Sequence, residues 1–196
     1  MKNQISLFCL IITLSVNLSI FSQDSFTSFN DYTKLQLTNT DTIPGFSDKE
    51  NKLKISGTIF LHDGVTPAKD VILYIEQADE HGDFDLRTDN DNRYVHNRGW
   101  IKTDANGRYT FFTYVPGGDR RYKLLQQLFP IIKEPSKKEY ELSTFLFDDD
   151  PLLTKLCRKR ITKKGDPSRI LKLTKQDDLL VVEKDIVLSN NSQEAR

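Results

Sequence analysis

Cysteine is nearly absent from this chain of 196 residues, which holds Cys9 and Cys157. Cys9 lies inside an N-terminal apolar run that reads as a removable segment, so the mature chain keeps Cys157 alone and cannot close an intramolecular disulfide. The fold must stand on its apolar core. Tryptophan is rarer, with Trp100 alone, so no exposed aromatic stripe of the kind that grips sugar rings is visible. Histidine is also scarce: His62, His81 and His96 each sit beside turn or loop residues, and no pair has the spacing of a metal motif. An excess of charge is missing too, with 28 basic residues against 28 acidic ones. That balance excludes a global field for nucleic acid or an anionic membrane. The basic cluster LCRKRITKK at 156–164 reads as a solvated face.

What is present begins with Met1, Lys2 and Asn3 ahead of the apolar run ISLFCLIITLSVNLSIF. This is the pattern of a secretory signal peptide over residues 1–23. The run falls short of the roughly 20 apolar residues a membrane span needs and carries Ser15, Asn17 and Ser19. Cys9 follows Phe8, where a lipidation signal wants a small residue. The chain is therefore expected to be exported, to the periplasm or beyond the cell, with no membrane attachment after cleavage. About 170 residues remain, enough for one domain that buries around two thirds of its unfolded surface. Residues 24–51 are polar and broken by Pro44 and Gly45, an irregular lead-in; the domain is expected over 52–188, with a flexible tail at 189–196.

From Lys52 onward, short β-branched and aromatic segments alternate with turn residues. KISGTIFL ends at the turn His62-Asp63-Gly64, and DVILYIEQ is apolar on both faces, as a central strand is. GWIKTDANGRYTFFTYVPGG reads as a hairpin about Asp104-Ala105-Asn106-Gly107. Further strands are expected at FPIIKE, YELSTFLF, ILKLT and LLVVEKDIVL. One short helix is expected after Asp150 as N-cap, with Pro151 in its first turn and Leu152, Leu153 and Leu156 facing inward. The pattern predicts an all-β, single-domain β-sandwich with at most one or two short helices.

The polar constellations are weak taken alone. DNDN at 89–92 and TDANG at 103–107 place oxygen donors as calcium loops do, without the distal bidentate glutamate, and read as turns. Asp148, Asp149 and Asp150 read as a cap and a solvated loop. There is no Gly-x-Ser-x-Gly elbow. Cys157, beside Arg158 and Lys159, reads as a packing residue.

The order of the segments carries more. KISGTIFLHDGVTPAKDVILYIEQADEHGDFD, GWIKTDANGRYTFFTYVPGG, IIKEP and FLFDDDPLL follow one another between residues 44 and 152. This succession resembles the intradiol ring-cleavage dioxygenases, in particular their small exported branch. The resemblance implies a β-sandwich whose active members hold a non-haem ferric ion with two tyrosines and two histidines, and split catechols between the hydroxylated carbons. Hard phenolate oxygen suits the ferric state. It also implies where those ligands would fall. The first tyrosine position is Phe84, in HGDFDLR; the second is Asp119, three residues after Pro116; the two histidine positions are Gln127 and Phe129, before Pro130. All four differ from the family's ligands, and an arginine found in many active members falls at Leu124. Tyr122 is a substitute phenolate if the register shifts.

The resulting expectation is a non-catalytic homologue with no catalytic residue, no metal and no cofactor, where the family uses Fe3+. Its former pocket is either filled by Phe84 and Phe129 or persists as an apolar site for a small aromatic ligand. The expected partners are such a ligand or another exported protein, with no nucleic acid. Two alternatives stand beside it: an active non-haem iron dioxygenase working through an atypical site, and an extracellular carbohydrate- or protein-binding module.

Overall fold

In the computed structural model, residues 35–89 and 92–190 are described, so the expected signal peptide at 1–23 and most of the tail at 189–196 lie outside the described residues. Strand β1 (Thr40–Thr42) is followed by β2 (Lys52–Phe60), β3 (Ile72–Gln77), β4 (Leu86–Asp89), β5 (Asn92–Val95), β6 (Arg98–Lys102) and β7 (Arg108–Tyr114). Then come β8 (Gln127–Lys133), β9 (Tyr140–Glu141), β10 (Phe145–Phe147), helix α1 (Lys155–Lys164), β11 (Ile170–Leu171), β12 (Thr174–Gln176), β13 (Leu179–Glu183) and β14 (Ile186–Val187). They make a β-sandwich. One sheet runs β1-β7-β2-β13-β12, with β14 also on β2; the other runs β11-β10-β8-β3-β6, with β9 on β8. Both sheets are mixed, since β1, β13 and β11 join their neighbours in parallel.

Period-two alternation explains which side chains meet between the sheets. Leu53, Ile55 and Ile59 of β2 and Tyr109 and Phe111 of β7 pack against Leu73 and Ile75 of β3, Ile101 of β6 and Leu128 and Ile132 of β8. At one end a polar bridge crosses this core. The Thr113 hydroxyl donates to Gln77 Oε1 at 2.5 Å, and Gln77 Nε2 donates to the Tyr114 carbonyl at 3.2 Å. Gln77 and Thr113 are fully buried, so neither group has water as a substitute partner.

Several features depart from the expectation. GWIKTDANGRYTFFTYVPGG is not a hairpin: β6 pairs with β3 in one sheet, whereas β7 pairs with β2 in the other. The Asp104 carboxylate accepts from the Asn106 and Arg108 amides, which is the expected turn chemistry, but the turn carries the chain across the sandwich. A different pair, β4 and β5, forms a two-stranded hairpin through mostly exposed polar residues. Helix α1 starts at Lys155 with Thr154 as its N-cap, the Thr154 hydroxyl accepting from the Cys157 amide at 3.2 Å. Asp150 is buried instead of capping the helix, and its carboxylate takes the amides of Leu152 and Gln126, each at 2.8 Å. Leu153 is buried as expected, whereas Leu156 points to solvent. Within the lead-in, Thr40–Thr42 lies along β7, and the Asp41 carboxylate accepts from the Trp100 amide at 2.8 Å. No helix among the described residues is long and apolar enough to cross a membrane.

Candidate functional site

Of the residues singled out by the segment order, Phe84, Gln127 and Phe129 lie where β8 begins. Buried Leu128, Pro130 and Ile132 alternate with half-buried Gln127, Phe129 and Ile131, which places the latter three on the outer face of the second sheet. Gln127 and Phe129 are therefore same-face neighbours. Phe84 comes from the loop between β3 and β4, and its ring packs on that of Phe129 with centroids 5.6 Å apart and planes at 55°. Such an edge-tilted pair contributes about 0.5–1.5 kcal/mol beyond the area it buries.

The backbone positions that loop. Asp79 Oδ1 accepts from the His81 and Asp83 amides at 2.8 and 3.0 Å, which curls residues 79–83 into a turn. The strand end after β7 then docks on it, with the Gly117 amide donating to the Asp79 carbonyl at 2.7 Å. A Cβ at Gly117 would lie 2.4 Å from the Glu80 carbonyl oxygen and 2.5 Å from the Gly82 amide nitrogen. Only glycine lets the two backbones meet so closely.

Asp119 and Tyr122 are not part of the aromatic contact. Asp119 closes a small turn of its own: its amide and carbonyl exchange hydrogen bonds with Leu124 at 2.9 and 2.8 Å. Its carboxylate accepts from the Arg121 and Tyr122 amides at 2.7 and 3.1 Å. Tyr122 sits at the tip of that turn, 65% exposed, with Arg121 over its ring. Leu124 is exposed as well. These side chains do not fit a ferric ion. The rings of Phe84 and Phe129 offer no lone pair, the Asp119 carboxylate is occupied by its own turn, and the Gln127 amide is a neutral, weak donor. Among the described residues no three His, Cys, Asp or Glu side chains form a metal-holding group.

Sequence reasoning missed the charged pair beside Phe129. Glu76 of β3 lies opposite Phe129 on one side and opposite Arg98 of β6 on the other. Burial pushes the Glu76 carboxyl up, against the Tyr74 hydroxyl, which donates to it at 2.5 Å, and against the charge of Arg98. The Arg98 guanidinium stacks 3.9 Å from the Tyr94 ring centroid and 4.6 Å from that of Trp100. Cross-strand register creates this row, and the one hint in the sequence is a glutamate at an outward position of an otherwise apolar strand. The corner thus offers stacked aromatic surface beside a desolvated carboxyl and a guanidinium.

Several solved dioxygenase structures share this architecture. The dioxygenase domain of a dioxygenase and carbohydrate-binding protein fusion from the cellulolytic bacterium Streptomyces sp. SirexAA-E superposes with a TM-score of 0.59 at 22% identity, over 76% of this chain and 86% of that one. The fold is that of the intradiol ring-cleavage dioxygenases. An intradiol ring-cleavage dioxygenase from Tetranychus urticae matches at TM-score 0.56 and 16% identity, over 81% of this chain and 89% of its own. Catechol 1,2-dioxygenase from Pseudomonas arvilla C-1 matches at TM-score 0.59 and 15% identity, over 82% of this chain. The chain spans only 58% of the length of that enzyme. No protein-family model and no curated protein sequence matches the chain. The likeness to the intradiol dioxygenases is one of fold.

Proposed function

We propose that this chain is an exported homologue of the intradiol ring-cleavage dioxygenases that does not cleave catechols and serves as a binding or structural domain outside the cytoplasm. The observation that carries this reading is the contact of Phe84 with Phe129 at 5.6 Å, at two positions where the resemblance places iron ligands. Two rings in van der Waals contact leave no donor atom for a metal there, and Asp119 and Gln127 do not replace the phenolate and imidazole. Phe84 is 41% exposed and Phe129 half-buried, so the two rings cover this position at the surface rather than adding to the core, and their exposed edge is the place for a small aromatic ligand or for another exported protein. Export rests on the signal-like segment at 1–23, and sequencing the N-terminus of the mature chain tests it.

The catalytic half is tested by supplying ferric iron to the purified mature chain and following oxygen uptake with catechol. No uptake above the iron-only control is expected. Stoichiometric turnover, abolished by Tyr122→Phe, would overturn the reading in favour of an atypical iron site.

A further inference from the structure

At the edge of the first sheet the chain turns one lysine inward. β13 and β14 both run parallel to β2, and between them Lys184 and Asp185 cross over Gly57. A Cβ at Gly57 would lie 2.2 Å from the Lys184 carbonyl oxygen, so the crossing requires glycine. The kink is held from three sides. The Tyr109 hydroxyl donates to the Lys184 carbonyl at 2.6 Å, the Lys184 amide to the Ser56 carbonyl at 2.8 Å, and the Thr58 amide to the Asp185 carboxylate at 2.8 Å.

This arrangement buries Lys184, which is 7% exposed. Its Nζ donates to Ser168 Oγ at 2.5 Å, and Ser168 Oγ donates to Asp166 Oδ2 at 2.8 Å. Nζ itself stands 3.8 Å from Asp166 Oδ2 and 5.7 Å from the centroid of the Phe145 ring. Lys184, Ser168 and Asp166 line a cleft of about 350 Å³ whose apolar wall is Leu142, Phe145, Ile186 and Val187. A surface ion pair needs no cleft, and an apolar cleft needs no lysine. Found together, they describe a site that holds an apolar body and presents an amine to it.

We propose that Lys184 is a nucleophilic amine that condenses with a small aldehyde or ketone whose apolar part occupies this cleft, with Ser168 and Asp166 as its proton relay. The hydrogen bonds run from Lys184 to Ser168 to Asp166, an outward path for the proton that the ammonium must lose. The free amine then adds to the carbonyl carbon. The carbinolamine hydroxyl leaves as water with a proton returned along the same path, so that carbonyl and amine give imine and one water, with nothing oxidised or reduced. Desolvation supports this by holding the Lys184 ammonium below the ordinary lysine range, against the opposing pull of Asp166 and Asp185.

The test uses the folded mature chain, isobutyraldehyde at limiting concentration, sodium cyanoborohydride to trap the imine, and peptide mass mapping at neutral pH. Each unit by which an ammonium pKa falls raises the reactive amine fraction about tenfold. Lys184 is expected to be alkylated several-fold faster than exposed Lys69 and Lys102, and the preference is expected to shrink when formaldehyde, with no apolar body, replaces isobutyraldehyde. Ser168→Ala is expected to slow labelling of Lys184 several-fold and leave Lys69 unchanged, in a chain whose circular dichroism matches the parent. Labelling of Lys184 no faster than Lys69, or only in denaturant, would overturn the proposal and leave Lys184 as a structural clamp on Asp166.

Discussion

Gly117→Ala is the sharpest probe of how the candidate site is assembled. The added methyl would meet three backbone atoms, the Glu80 carbonyl oxygen at 2.4 Å, the Gly82 nitrogen at 2.5 Å and the Glu80 carbonyl carbon at 2.6 Å. None can rotate away as a side chain would, so residues 79–85 and 116–119 must separate. Separation breaks the 2.7 Å hydrogen bond from Gly117 to Asp79, worth about 1 kcal/mol. Overpacking adds roughly 1–3 kcal/mol. The sum is about 2–4 kcal/mol, and with a urea slope of about 2 kcal/mol per molar the unfolding midpoint falls by roughly 1–2 M. Urea unfolding followed by the fluorescence of Trp100 measures it, with the slope unchanged because the same surface is exposed. The two loops also carry Phe84, so the coupling between Phe84 and Phe129 should fall in the Gly117→Ala background. A midpoint within about 0.3 M of the parent would refute the close backbone packing.

Other outcomes follow from the same geometry. A double-mutant cycle of Phe84→Ala and Phe129→Ala should return a coupling of about 0.5–1.5 kcal/mol, and a value near zero would mean the rings do not touch in solution. Gln77→Leu should cost about 1–3 kcal/mol in thermal or urea unfolding, because it leaves the buried Thr113 hydroxyl and Tyr114 carbonyl without partners. Asp63 is held at about 2, first by the hydroxyl of Thr66 and then by the amides of Val65 and Thr66. Its carboxyl is lowered in the fold, so the turn's hydrogen bonds are fully present above the ordinary value of 3.8 and are lost as pH falls through about 2. The amide shifts of Val65 and Thr66 in an NMR titration should inflect there, and an inflection near 3.8 would contradict the bonded turn.

Strands with an apolar side chain at every second position were legible, as were the central place of the second expected strand and the sandwich itself. Leu53, Ile55 and Ile59 leave β2 no other way to bury one face. Pairing was less legible, because turn chemistry looks alike whether the flanking strands pair or pass to opposite sheets. Asp104 makes the same bonds in either case, so β6 and β7 read as a hairpin although they belong to different layers. β4 and β5 escaped because Arg87, Thr88, Asn92 and Arg93 face solvent and carry no apolar period. β1 escaped because Thr40, Asp41 and Thr42 bind through backbone and one carboxylate rather than through buried side chains.

The site shows the same division. Phe84 and Phe129 were marked by the order of the segments, and they do meet. Asp119 and Tyr122 were marked by the same order, yet one carboxylate bonds its own turn and the other ring faces water. Glu76, Arg98 and Trp100 were invisible as a group because they lie on two strands more than twenty residues apart, and only the register of β3 with β6 sets them in adjacent rows. Lys184 was hidden for another reason: nothing in VVEKDIVL distinguishes a lysine that kinks inward over Gly57 from one that stays in solvent.

The central claim is that two rings have replaced the metal-binding atoms at the outer face of the second sheet. Loading the purified protein with ferric iron, removing the excess, and recording its visible absorption beside its iron content tests this directly. The account predicts a colourless protein with no stoichiometric iron. A coloured complex with one ferric ion per chain, showing the charge-transfer band of tyrosinate bound to iron, would contradict it.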